Sequence, residues 1–351
     1  MLLYIHIPFC DSKCHYCSFN SYVDKFDLIK AYMDALYLQL EHELKRFDAI
    51  EGSISSIFIG GGTPSTVQSG LYADIFSLLR FYLKKGAEIT TEANPNSASL
   101  EWLGGMRELG CNRVSFGVQS FNDTKLKFLG REHTADEAIT AVKNAREIGF
   151  EHISLDLIYA TKVDTKELLE QDIQTAFSLP IDHISAYALT IEEKTLFESY
   201  PEAAKERLEL TTFFIDAIKA KGFEQYEISN FGSYRCAHNI GYWQLQDYMG
   251  VGSGAVGMLN NKRFYPTTDI EAYISNPLDI SVEELSEEDL KTEKLFLGLR
   301  SCVGIDTKIL SATEKKKLEL LLSEDKLLRL NDRAHNPDFL LSDEIVLFLQ
   351  D

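Results

Sequence analysis

The stretch Tyr4-Ile5-His6-Ile7-Pro8-Phe9-Cys10-Asp11-Ser12-Lys13-Cys14-His15-Tyr16-Cys17 places three cysteines at CxxxCxxC spacing directly behind a short apolar run. Leu2 to Ile7 reads as a strand, so the cysteines occupy the loop at its carboxyl end. Ile29, Met33, Leu36, Leu40 and Leu44 then recur at helical spacing behind Asp27, a candidate N-cap. The alternation continues with strand 54–59, helix 71–83, strand 87–91, helix 100–109, strand 113–118, helix 135–148, strand 153–158, helix 167–177 and strand 184–189. Strands joined by helices of this length pair in parallel through right-handed crossovers. The predicted fold class is therefore α/β, a partial parallel (β/α)6 barrel. In such folds chemistry collects at the carboxyl ends of the strands. The cysteine loop follows the first strand, Gly60-Gly61-Gly62-Thr63-Pro64 the second and Glu92-Ala93-Asn94-Pro95 the third. Gln119-Ser120-Phe121 follows the fourth, and Asp156 closes the fifth.

Composition narrows the function class. With 45% hydrophobic and 25% charged residues in 351, the chain is of ordinary globular make-up, long enough for one large domain and a smaller one. Its formal net charge is −19, and residues 266–351 alone carry ten Lys/Arg against nineteen Asp/Glu, which argues against a nucleic-acid partner. No run approaches the roughly 20 apolar residues of a membrane helix, and Met1-Leu2-Leu3-Tyr4 lacks the basic start of a signal peptide. A cytoplasmic location is expected, with no integral membrane segment. Cys111, Cys236 and Cys302 are scattered, so the six cysteines do not form a disulfide framework.

Thiolates are the usual ligands of iron–sulfur clusters, and a four-iron cube ordinarily takes four. Three in one loop leave one iron open for a ligand that is not protein. The alternative is a zinc site completed by His6 or His15, but structural zinc motifs pair two such elements and no second pair is present. Glycines at 60–62 allow a backbone to come close to a ligand, or simply form a turn.

These motifs resemble the radical S-adenosylmethionine (radical SAM) superfamily. The resemblance implies a 4Fe-4S cluster on Cys10, Cys14 and Cys17 whose open iron chelates the methionine end of S-adenosylmethionine, and an electron donor that reduces the cluster to cleave the sulfonium. More of the chain, including Gly117-Val118-Gln119-Ser120-Phe121 and Leu129-Gly130-Arg131-Glu132-His133, is similar to the oxygen-independent coproporphyrinogen III oxidase group. By that resemblance Tyr4, Tyr16, Gly61, Gly62, Thr63, Glu92, Gln119, Arg131, Asp156 and Ala188 line the cofactor site. Arg131 can pair a carboxylate bidentately, and Glu92 or Asp156 can accept from an ammonium or a ribose.

Two branches of that group differ. The decarboxylating enzyme, coproporphyrinogen III dehydrogenase, has a further cysteine just past the third ligand and a long N-terminal extension; here Ser18 and Phe19 follow Cys17, and nine residues precede Cys10. Cys236-Ala237-His238-Asn239-Ile240-Gly241-Tyr242-Trp243 resembles instead the HNxxYW element of the HemW family of haem chaperones. That resemblance implies haem as a cofactor, His238 as its axial ligand, Tyr242 and Trp243 packed beside it, and haem-accepting client proteins, membrane respiratory enzymes among them. The plainer reading of His238 is a core histidine at a helix start capped by Asn239, and Cys236 is either a second ligand or a small buried apolar residue. Where the family shows a Gly-Leu-Pro-Gly-Gln turn, this chain has Tyr159-Ala160-Thr161-Lys162-Val163-Asp164, and a different backbone course is expected. A helix is expected over 203–221 and a Gly-rich stretch over 250–257. The expected organisation is a barrel core over 1–195, an extension with the HNxxYW element over 196–265, and an acidic helical domain of winged-helix type over 266–351. Whether the chain forms a homodimer is open.

Overall fold

The structure, a computed structural model, describes residues 1–350. Seven strands lie parallel and adjacent. They are β1 (Leu2–Ile7), β2 (Ile54–Gly61), β3 (Leu83–Ala93), β4 (Arg113–Gln119), β5 (His152–Tyr159) and β6 (His183–Ala188), with β9 (Tyr248–Val251) on the far side of β1. Two short strands, β7 (Glu224–Gln225) and β8 (Asn230–Gly232), add antiparallel beside β6. Three more, β10 (Gly257–Leu259), β11 (Lys262–Pro266) and β12 (Ile280–Glu284), add beside β9, giving one open twelve-stranded sheet.

Crossover helices explain the parallel order. These are α1 (Ile29–Arg46), α2 (Ala73–Leu79), α3 (Leu100–Leu109), α4 (Asp123–Phe128), α5 (Ala135–Ile148), α6 (Lys166–Phe177) and α7 (Leu208–Ala220). Their apolar stripes, such as Leu36, Leu40 and Leu44 of α1, bury one sheet face, where Leu3, Ile5, Ile7, Ile57 and Ile59 are all solvent-free. Each such side chain contributes on the order of 1.5–3 kcal/mol. Thr134 and Glu137 form a capping box at the start of α5, and Gly149 ends it in the left-handed region at φ 100°. The other face carries polar residues at two-residue spacing, among them His6, Ser56, Glu88, Glu92, Arg113, Ser115, Asp156 and His183. Alternation alone would turn them to water; the short helix α8 (Ala237–Trp243), packed on β2, and the loops enclose them.

Several expectations are corrected. Asp27 sits in a single 3-10 turn, and Leu28, without a side-chain cap, precedes α1. The helix expected over 71–83 is only α2, because β3 starts at Leu83, four residues earlier than the apolar pattern shows, once Ile54 N–H has taken the Tyr82 carbonyl. The helix expected over 203–221 begins at Leu208. The Gly-rich stretch at 250–257 opens as strand β9, and its glycines allow strand contact: a Cβ on Gly250 would meet the Val256 carbonyl oxygen at 2.1 Å.

The boundary placed at 266 falls at the end of β11, while residues 280–284 still belong to the large sheet, with Val282 opposite Phe264. Beyond them a second hydrophobic core gathers Leu295, Leu299, Leu318, Leu321, Val346 and Leu349 from α10 (Glu287–Leu299), α11 (Ala312–Ser323) and α12 (Ser342–Gln350). A short helix, α9 (Ile270–Ser275), precedes β12. The tail is not wholly helical: β13 (Ile305–Asp306), β14 (Leu328–Leu330) and β15 (Arg333–His335) form a three-stranded antiparallel sheet. The buried Glu227 carboxylate holds this unit to the barrel through Arg300 at 2.8 Å.

Candidate functional site

Functional side chains fall at two ends of the sheet's polar interior. At the carboxyl end, backbone bonds pin the cysteine loop from both sides: Gly62 and Thr63 donate to the Ile7 and Phe9 carbonyls, and His15 N–H donates to the Leu129 carbonyl. The Cβ-less sides of Gly60, Gly61 and Gly62 face protein rather than open room. A Cβ on Gly61, whose φ is 113°, would meet the His6 ring at 2.4 Å, and one on Gly62 the Phe9 oxygen at 2.7 Å. These glycines let the second loop lie against the first.

Cys10 Sγ lies 3.4 Å from the Thr63 hydroxyl, which accepts from Asn94 Nδ2 at 3.1 Å. Arg131 donates from Nη1 to Cys14 Sγ at 3.2 Å and from Nη2 to Asn94 and the Gly117 carbonyl. Its two Nη groups are thus engaged by protein, and buried Nε lacks a partner, so a bidentate grip on a carboxylate would displace one of these bonds. Burial pushes the Cys10 and Cys17 thiols up, so thiolate ligation there needs a metal to draw the proton off. Among the described residues no three His, Cys, Asp or Glu side chains converge on one ion. A four-iron cube asks for something else, one thiolate on each of three separate irons. Both nitrogens of His6 are taken, by the Tyr4 hydroxyl and the Asn20 carbonyl, and His15 Nδ1 is bonded to the Phe128 carbonyl.

Deeper in the same end, Glu92 accepts from Gly61 N–H and Asp156 from the Ser115 hydroxyl. Burial, with the Asp156 charge nearby, pushes Glu92 up to about 8. Burial likewise raises Asp156, against the pull of Ser185 and Arg113. A pair of desolvated carboxyls fits a cationic ligand, whose charge would offset their cost. Gln119, at φ 67°, stands by Gly117, where a Cβ would touch Gln119, Arg131 and Asn94. Tyr16 packs on the small cluster of Leu129, Ile158 and Phe197, next to Cys14 and Arg131. Ala188, the last residue of β6, is exposed and pairs with Tyr159.

His238 belongs to the opposite, amino end. It is 1% exposed, Nδ1 bonds the Ser56 hydroxyl at 2.9 Å, and Nε2 is buried with no partner. Burial lowers its pKa to about 4, which keeps the ring neutral. His238 lines a cavity of about 420 Å³ together with Tyr4, Phe58, Tyr242 and Tyr248. The Tyr242 ring meets it edge-on at 4.7 Å, whereas Trp243 packs on Tyr226. A neutral imidazole with one nitrogen tethered and one free, among aromatic walls, fits axial ligation of a porphyrin iron. Cys236 directs its thiol to Glu88 at 3.4 Å, away from a ligand role. Nor does Asn239 cap α8; that falls to Glu88 of β3, which accepts from Ala237 and His238 N–H and from the Tyr234 hydroxyl.

No motif marks Glu88, Arg113, His183 or Tyr226, which connect from separate elements. His183 Nε2 meets the Tyr226 hydroxyl at 2.5 Å, and Arg113 Nη2 lies 3.4 Å from His183 Nδ1. Asn94 lies within Glu92-Ala93-Asn94-Pro95, where an amide between two loops is the available signal.

Residues 4–176 match the family model of the radical SAM superfamily. The heme chaperone HemW of Bacillus subtilis is 35% identical over 323 residues, 87% of this chain and 84% of that one. The heme chaperone HemW of Haemophilus influenzae is 38% identical, over 77% of this chain and 72% of that one. In structure the chain resembles Escherichia coli coproporphyrinogen III oxidase, a radical SAM enzyme, with a TM-score of 0.82 over 99% of this chain and 89% of that one; at 22% identity this likeness speaks for the fold. Among the described residues no helix is long and apolar enough to cross a membrane.

Proposed function

This chain belongs to the HemW family of haem chaperones, within the radical SAM superfamily, and from that premise we propose that it binds haem at His238 and passes it to client proteins. Cys10, Cys14 and Cys17 would hold a four-iron cluster, which supplies an open iron and one-electron reduction when bound. Glu92 and Asp156 then stand where an ammonium or sulfonium charge suits them, and the Arg131–Asn94–Thr63 bonds hold the two loops in register around the thiols. At the other end Ser56 orients the His238 ring, leaving Nε2 to the iron. The enclosing aromatics exclude water from that bond.

The unpartnered, buried Nε2 carries this reading. A buried polar nitrogen without a partner costs about 1–3 kcal/mol, and a ligand removes the cost. Haem titration followed by the Soret band tests it. His238→Ala is expected to lose at least about tenfold in affinity and to shift the band, with cluster iron unchanged. An identical band and affinity in the variant would remove His238 from the site. Transfer from the loaded protein to an apo-acceptor tests the chaperone step.

A further inference from the structure

The cavity beside His238 contains only two charged groups, and they are paired to one another. Arg263 of β11 and Glu293 of α10 lie 2.6 Å apart, Nη2 to Oε1, with side chains 27% and 21% exposed. Apart from the Asn239 amide, the rest of the lining is imidazole, aromatic and aliphatic, including Val256, Met258 and Leu297. The cavity is therefore polarised in kind. It offers a free ring nitrogen, apolar walls and a guanidinium, which are the groups that a metalloporphyrin's iron, ring and carboxylates would meet.

The ion pair is not a finished structural contact. Glu293 Oε2 is buried and has no partner, so half of the carboxylate is desolvated for nothing. The two residues also come from different units: Arg263 sits on the large sheet, while α10 opens the second hydrophobic core. The Tyr248 phenol lies beside the Arg263 guanidinium and lines the same cavity wall.

Resting on the haem reading above, we propose that Arg263 receives a porphyrin carboxylate, and that Glu293 holds the guanidinium until that carboxylate displaces it. A planar guanidinium pairs carboxylates preferentially, and it cannot take a second one in the same geometry while Glu293 remains. Haem binding then frees α10 from β11, so the loaded and empty proteins differ in how the C-terminal unit sits against the barrel.

The test compares two probes, haem and haem dimethyl ester, whose carboxylates are masked, titrated into wild type, Arg263→Gln and Glu293→Gln. Arg263→Gln is expected to weaken haem about tenfold or more and to leave the ester's affinity within about twofold. Glu293→Gln is expected to tighten haem several-fold and the ester less. Equal losses of both probes in Arg263→Gln, or a Glu293→Gln variant that binds haem no better than wild type, would overturn the proposal. His238→Ala measured in parallel separates the two levels: if its Soret band moves while the probe ratio does not, haem binding stands and the carboxylate contact falls.

Discussion

Glu88 and Glu92 lie on the same face of the same strand, four residues apart, and their carboxyls are shifted in opposite directions. Burial opposes ionisation at Glu88, yet Arg113, the Tyr234 hydroxyl and two N–H groups of α8 hold it below its usual range. Burial raises Glu92 to about 8 with Asp156 adding to it, while one N–H and distant Arg113 pull weakly the other way. Both oxygens of the first acid are hydrogen-bonded; the second lacks a partner of opposite charge. One interior thus holds an acid whose partners position a helix and another that suits a cation.

The largest effect should come from separating the two ends outright. Cys14→Ala is expected to abolish reconstitution of a four-iron cluster, read by iron and sulfide content, while haem still binds with a wild-type Soret band. Loss of both ligands together would show that the ends are not independent. Next comes pH. Glu92 is raised above the 4.5 of an unfolded glutamate, so its full stability is present below about 4.5 and is lost as pH climbs toward 8, by about 1.4 kcal/mol per unit. Melting of the cluster-free protein from pH 5 to 8 should fall more steeply for wild type than for Glu92→Gln. A gap between them that stays constant across that range would refute the shift. Glu88→Gln should cost about 1–3 kcal/mol, because it leaves α8 N–H groups and Arg113 short of a charge. It should weaken haem binding while leaving cluster content alone. A variant as stable as wild type would show that the network does not support α8.

The same contrast explains what the sequence disclosed. The carboxyl end is built from contiguous motifs in loops, so Cys10, Cys14, Cys17, Gly61, Thr63 and Arg131 could be read off a line of text and are brought together. Parallel order was legible because apolar runs alternate with helical stripes. The amino end is assembled from single residues of β2, β3, β4, β6 and α8, each of which alone looks like the polar half of an amphipathic strand. Nothing local marks Glu88 as a cap for a helix nearly 150 residues later. Arg263 and Glu293 likewise meet across two units, which no spacing rule reaches. The β-strand beginning at Tyr248 was hidden by Gly250, since glycine weakens a strand signal where another backbone comes close.

The smallest effect concerns the turn after β5, where the missing glycines suggested a different course. Ala160 nevertheless takes the left-handed conformation, φ 60°, that glycine adopts freely. Its neighbours impose this. Buried Lys125 binds Asp164 at 2.7 Å and the Ile158 carbonyl at 2.6 Å, Asp164 accepts from Thr161 N–H, and Lys205 N–H donates to the Ala160 carbonyl. Left-handed alanine costs about 1–2 kcal/mol, and glycine would return about half of that gain through a freer unfolded chain. Ala160→Gly should therefore stabilise the protein by about 0.5–1 kcal/mol, seen as a rise of roughly 2 °C in Tm. If Ala160→Gly lowers Tm, the alanine methyl, only 8% exposed, is worth more in packing than the strain it causes.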